Sequence, residues 1–365
     1  MKSFKLILFL CVFLVLCTSI NSSASDKEES KHDVKEFYDK SASVVSDVNP
    51  NDLQKCVESN NSYGLNLIIK NIQSSVFEEI KRSRKYSVYI ILICILGSLI
   101  KVYIKNGNLL EISSYICLTV CSLFIVEIFR DAAEICSNAI DTLSDYMSFA
   151  VPVYVTTLIS CGYVKTASSI QWIFMIISSV ITNVIKNIIH PLLLCCGILS
   201  VVECATSDFN MSGFVSLISK TTKYIIGFVM TVFAGVLTFT GLSSVSGDNL
   251  AIKTAKYAIG NFVPVVGGCL SEALNTLIYS SAVTKNAIGY VGFFCLLFIC
   301  LSPIVKAYVL IFMLKLSSAC VTVFGENIVS RALNAVCEVL VSMIAMVILV
   351  SIIFILIITI VATVG

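Results

Sequence analysis

Glu127, Lys186, His190, Glu203, Lys306 and Lys315 interrupt stretches of the chain that are otherwise apolar. Holding a charge in a low-dielectric setting is costly. Such residues therefore mark a polar path or ion pairing inside a membrane, or a span end from which a long side chain snorkels to water. Most of them stand near expected span ends. Lys306, three residues past Pro303, is the first of them to test.

A second feature with chemical consequence is the break at Pro264 and Gly267-Gly268. Ile252, Ala255, Ile259 and Phe262 form an apolar stripe before it, with Lys253 and Lys256 off the stripe. After it, Leu270, Leu274 and Leu277 lie opposite Ser271, Glu272 and Asn275. Proline removes a backbone donor, and paired glycines admit unusual backbone angles. In lipid such a break needs protein or water around it. Two readings are open: a re-entrant element at a pore or interface, or a surface helix–turn–helix.

An acidic stripe, Glu134, Asn138, Asp141 and Asp145, lies opposite Ile135, Ala139, Leu143 and Tyr146 at helical spacing. One expectation is that this helix meets the basic one through Asp141 and Lys253, within the chain or between neighbouring copies. The other is that both polar faces are solvated.

Signatures of enzymes are missing. Ser246-Gly247-Asp248 lacks the preceding glycine of the GxGD intramembrane protease motif, and no GxSxG, HExxH or Walker A sequence occurs. The chain is expected not to be an enzyme and to need no cofactor. The 16 cysteines include no CxxC pair and the histidines are only His32 and His190, so spacing gives a zinc or redox site little support. They read as small buried hydrophobes. No basic tract points to nucleic acid.

The elements that must position these residues follow from composition. With 57% hydrophobic and 13% charged residues, the chain lies outside the soluble globular range. Val339 to Gly365 carries no charge and, at about 1.5 Å per residue, is long enough to cross a bilayer core of ~30 Å. The fold class is an all-α polytopic membrane protein. Residues 1–24 read as a signal peptide: Lys2 and Lys5, then the apolar run Leu6–Leu16, then Ser22-Ser23-Ala24. Residues 25–85 form an extracytoplasmic polar segment ending in an amphipathic helix with Leu65, Ile68, Ile69, Ile72, Val76 and Ile80 on one face. Residues 86–130 make a transmembrane hairpin turned at Asn106-Gly107-Asn108.

The remainder reads as a duplication. Val151-Pro152-Val153 and Val263-Pro264-Val265 stand 112 positions apart, and Pro191 with Pro303 and Gly213 with Gly325 keep that offset. The repeats cover about 131–242 and 243–354, the second within a membrane domain running to residue 365. Duplicated membrane folds tend to place a site between their halves. Around Pro303, Ala287 to Leu314 suits a kinked helix or two half-membrane helices.

From Gly241-Leu242-Ser243-Ser244 through Lys253-Thr254-Ala255-Lys256-Tyr257-Ala258 to Asn261-Phe262-Val263-Pro264-Val265-Val266-Gly267-Gly268, the chain resembles the stage III sporulation protein AE family. The likeness continues through Leu270-Ser271-Glu272-Ala273-Leu274-Asn275-Thr276 and Lys285-Asn286-Ala287-Ile288-Gly289. It implies a mother-cell membrane protein facing the engulfed forespore, in a secretion-like channel complex with a cytosolic ATPase and ring-forming proteins. Such a protein forms or lines the pore; the alternatives are a non-conducting scaffold for the rings or a stand-alone secondary transporter. The implied partners are those proteins, the lipid bilayer and a further copy of the chain. No ligand residues carry over. Pro152, Pro264, Gly267, Gly268, Asp141, Lys253, Lys256, Glu272, Pro303 and Lys306 are the candidate pore or assembly residues.

Overall fold

The computed structural model describes residues 62–103, 107–205, 213–233, 235–236, 253 and 267–363. Residues 1–61, Lys256, Pro264 and most of 237–266 lie outside them, and for Gly267, Gly268 and Glu272 only the backbone is described. The described elements are helices. They are α1 (Ser62–Tyr103), α2 (Gly107–Ser160) and α3 (Val164–Val180), which passes through a π-helical segment (Ile181–Ile189) into α4 (His190–Ala205). Then come α5 (213–233), α6 (Gly267–Val323) and α7 (Asn327–Thr363). Five runs are long and apolar enough to cross a membrane: Gln73–Lys101, Ile112–Ser160, Val164–Cys204, Val291–Val323 and Asn327–Thr359. The all-α membrane architecture expected from composition is the one observed.

Helix α2 shows why these segments are helical. Leu118, Cys121, Ile125, Ile128, Ala132, Cys136, Ile140, Leu143, Met147, Ala150, Tyr154 and Leu158 are all buried and recur every three or four residues. The acidic stripe behaves as its spacing predicts: Ala139, Leu143 and Tyr146 are buried, while Glu134, Asn138 and Asp145 are exposed. Helix α7 is the core of the bundle and is buried on most sides from Val329 to Ile358.

Three landmarks of the sequence lie within continuous helix, and at Pro303 this is the single-helix reading rather than two half-membrane helices. The amphipathic segment before residue 86 and the first span are one helix, α1. Pro152 lies inside α2, and Pro303 lies inside α6, which runs unbroken from Gly267. A helical proline forfeits one hydrogen bond to the carbonyl four residues back, and packing of the flanking turns outweighs that loss. At Pro152 those turns carry Met147, Val151, Tyr154 and Leu158, all buried. The third proline, Pro191, follows the π segment, where the helix widens just ahead of the residue that cannot donate.

Glycines set two tight turns and two close approaches. Gly162 (φ 87°) turns α2 into α3, and Gly325 (φ 81°) turns α6 into α7. Both hold the left-handed conformation that a Cβ disfavours. The α6–α7 turn is reinforced by hydrogen bonds between helices: Ser318 Oγ with Ser330 Oγ (2.9 Å), Thr322 Oγ1 with Ser330 Oγ (2.8 Å) and Asn334 Nδ2 to Ser318 Oγ (2.9 Å). Gly197 of α4 lies against the Phe129 ring of α2, and Gly292 of α6 against the Tyr154 phenol of α2. Tyr146 Oη reaches the Gly292 carbonyl at 3.5 Å.

A methyl group at residue 292 would occupy the space of the Tyr154 phenol. Gly292→Ala is expected to cost about 1–3 kcal/mol through overpacking. Gly227, in α5, has open space around its Cβ position, so Gly227→Ala is expected to be neutral or to gain up to about 1 kcal/mol of helix propensity. Thermal unfolding of both variants in one detergent checks the contrast.

Candidate functional site

The inward face of α1 is polar over its first half. Ser75, Glu79, Ser83 and Ser87 are buried there, spaced every four residues, and Ile90 and Cys94 continue the face in apolar character. Ser75 Oγ meets Ser302 Oγ of α6 at 3.2 Å, and Ser83 Oγ donates to the Glu79 carbonyl at 2.8 Å. The Glu79 side chain is 4% exposed, and its Oε1 makes no hydrogen bond to the described residues.

Charges from three helices converge on that carboxylate. Its charged neighbours are Arg82, Lys306, Asp131 and Glu78. Arg82 Nη2 of α1 pairs with Asp131 Oδ2 of α2 at 3.1 Å; the arginine side chain is half exposed and the aspartate is buried. Lys306 of α6, half-buried, enters from the turn after Pro303. Proline at 303 leaves the Ile299 carbonyl without its helical donor, adding a further polar group to that side of α6. Two acids and two bases thus lie within electrostatic reach of one another among α1, α2 and α6, with Arg82 and Asp131 in direct contact.

Two further ionic contacts tie helices together. Lys101 Nζ, at the end of α1, lies 2.8 Å from Glu326 Oε2 in the α6–α7 turn, where the glutamate side chain is 1% exposed. Burial pushes the Glu326 carboxyl above the usual carboxylate range, and the Lys101 ammonium pulls it back. Lys186, in the π segment, pairs with Asp141 of α2. Next to them the His190 Nδ1 is buried and makes no hydrogen bond to the described residues.

Of the residues singled out by sequence, Lys306 and Pro303 belong to the charged cluster. Asp141 does not take the expected partner within the chain: its ion pair goes to Lys186, and Lys253 is exposed. The offset that aligned Asp141 with Lys253 carries no information about a neighbouring helix hairpin, which is where Lys186 comes from. Pro152 is exposed on α2, between the buried Tyr146 and Tyr154. Glu127 pairs with Arg130 one turn away on the surface.

The model of the family described as stage III sporulation protein AE matches residues 49–365. The chain belongs to that family. A relative, the stage III sporulation protein AE of Bacillus subtilis (strain 168), is 24% identical over 287 residues, covering 78% of this chain and 72% of that protein. No solved structure matches the chain. Membership in the family, with five helices of spanning length and composition, makes this a membrane protein of sporulation.

Sequence reading missed Glu79, Asp131 and Glu326. Each stands at a boundary between polar and apolar stretches and looks like an ordinary span end. The available signal was the four-residue spacing of Ser75, Glu79, Ser83 and Ser87, which shows that a carboxylate shares a face with small residues suited to close packing.

The asymmetry of the Arg82–Asp131 pair yields a prediction. Arg82→Gln strands a buried carboxylate and is expected to cost about 1–3 kcal/mol. Asp131→Asn leaves an arginine that already reaches water, so it is expected to cost less. Denaturant unfolding of the two variants in the same detergent gives the order.

Proposed function

We propose that this protein is a pore-forming or pore-lining component of a channel complex joining the mother cell to the forespore. It would reside in the mother-cell membrane, and its partners would be ring-forming membrane proteins and a cytosolic ATPase. The chain would do no covalent chemistry itself, so any energy for transport would come from that separate motor. Family membership and the five spanning helices support the setting.

The observation that carries the pore reading is the cluster of Glu79, Arg82, Asp131 and Lys306 between α1, α2 and α6. Ionisable groups facing the interior of a helical membrane bundle mark ion or substrate paths. The cluster sits where α6 contains Pro303, and helix irregularity in membranes is tolerated beside protein or water. The internal duplication is a further part of the reading. Pro191 and Pro303 each lie in a long helical run, and the matched glycines come after those runs, Gly213 within the described residues of α5 and Gly325 in the turn ahead of α7.

Lys306→Met and Glu79→Gln test it in sporulating cells. The expected outcome is a complex that assembles normally, recovered with its partners by affinity purification, and a spore yield reduced at least about tenfold, the effect of a lost functional charge. Loss of assembly in both variants would favour a scaffold that conducts nothing. Solute flux through vesicles holding the purified protein alone would favour a stand-alone transporter.

A further inference from the structure

Cys94 of α1 and Cys117 and Cys121 of α2 bring their sulfurs together inside the bundle. Cys94 Sγ lies 3.8 Å from Cys121 Sγ and 3.9 Å from Cys117 Sγ, and all three sulfurs fall within 4.8 Å of one another. The cysteines are at most 5% exposed. The hairpin makes the meeting possible: Cys117 and Cys121 share a face one turn apart on α2, and the antiparallel α1 sets Cys94 opposite that face.

A fourth donor stands beside them. The buried Glu326 carboxylate gives Oε2 to Lys101, while its Oε1 makes no hydrogen bond to the described residues. That oxygen and Cys117 Sγ lie against the same point on α1. A Cβ at Gly97 would meet Oε1 at 3.1 Å and Cys117 Sγ at 3.2 Å. The missing side chain at residue 97 is therefore what opens the space between the carboxylate and the thiols. Glu326 and the thiols of Cys117 and Cys121 are close enough to interact electrostatically.

We propose that Cys94, Cys117, Cys121 and Glu326 form a binding site for one thiophilic divalent cation of the zinc class. A tetrahedral centre with metal–sulfur bonds of about 2.3 Å places its sulfurs about 3.8 Å apart, which is the spacing of Cys94 to its two neighbours. The three sulfurs fill three positions; Glu326 lies outside that group of three, and its carboxylate would move toward the sulfurs to supply the fourth. Each thiol releases its proton to solvent as its sulfur bonds the metal. Three thiolates and a carboxylate exceed the charge of the ion by two. Lys101, on the outer oxygen of Glu326, offsets part of that excess, and the positive N-terminal end of α7 adjoins the same residue. Glu326 belongs to the turn between two spans and Lys101 ends a third, so an ion would enter along this rim of the bundle. Once bound, it would clamp the α1–α2 hairpin to the α6–α7 turn.

The test uses the full chain purified in detergent without reducing agent or chelator. Metal content by mass spectrometry is expected to be about one zinc per chain. Replacement by cobalt(II) should give the thiolate-to-metal charge-transfer absorption of a sulfur-rich tetrahedral site. Cys117→Ser with Cys121→Ser should abolish both signals, while Cys136→Ser, at a buried cysteine elsewhere, should keep them. Lys101→Met should weaken cobalt binding about 10-fold or more, as loss of a supporting charge does. Wild-type protein that holds no zinc and shows no cobalt–thiolate absorption would overturn the proposal whether or not any variant folds. A disulfide between any two of the three cysteines in freshly isolated protein would overturn it as well.

Discussion

Charge held in an apolar bundle must be paired, and this requirement sets the register of the helices. Among the described residues, α1 makes ionic contacts through Arg82–Asp131 and Lys101–Glu326. Along the helix axis they are about 28 Å apart at 1.5 Å per residue, close to the ~30 Å of a bilayer core. The apolar stretch of α1 lies between them. Sliding α1 by one turn against α2 or against the α6–α7 turn would separate both pairs and strand Asp131 and Glu326 in low dielectric. Exposed ion pairs contribute little, but breaking a pair that leaves a buried charge is strongly unfavourable. The pairs act more as a constraint on register than as a source of stability.

With register set, the remaining packing needs little directional chemistry. Helix α7, apolar from Val339 on, fills the centre, and small residues admit the large aromatics: Gly292 receives Tyr154, and Gly197 receives Phe129. Helices α2 and α6, of 54 and 57 residues, are far longer than one bilayer requires. The charged layer at Glu79, Arg82, Asp131 and Lys306 falls partway along each of them. On α1 the layer lies within the serine-lined part of the inner face, which turns apolar after Ser87.

Periodicity made the class of fold and much of its detail readable. Along the stripe from Glu134 to Asp145 and the face opposite it, six of the eight positions sort into buried or exposed as read, with Ile135 and Asp141 intermediate, because both readings depend on a local repeat of 3.6 residues. Lys306 was identifiable because a cation in an apolar run is costly wherever it lands. At Pro152 and Pro303 the helix continues, because a single lost hydrogen bond is small beside the burial of the turns around it. What could not be read were contacts between distant segments. Arg82 meets Asp131, Asp141 meets Lys186, and Cys94 meets Cys117 and Cys121 only because hairpins bring them together. The cysteines carried a partial signal in the one-turn spacing of Cys117 and Cys121, but their third member stands across the turn.

The charged layer is incomplete as a purely structural device. Buried polar groups in stable bundles are almost always hydrogen-bonded. Arg82 and Asp131 satisfy each other, yet Glu79 Oε1 makes no bond to the described residues while Lys306 stands among its charged neighbours. A carboxylate buried to 4% exposure calls for a donor from outside that set: a residue of this chain beyond the described ones, water, an ion, or a group on another subunit. The same reasoning separates this layer from the rim at Glu326, where Lys101 already occupies one oxygen and three thiols stand near the other. One buried carboxylate stands among charged side chains and the other beside a lysine and a thiol, so the two ends of the span in α1 meet different chemistry.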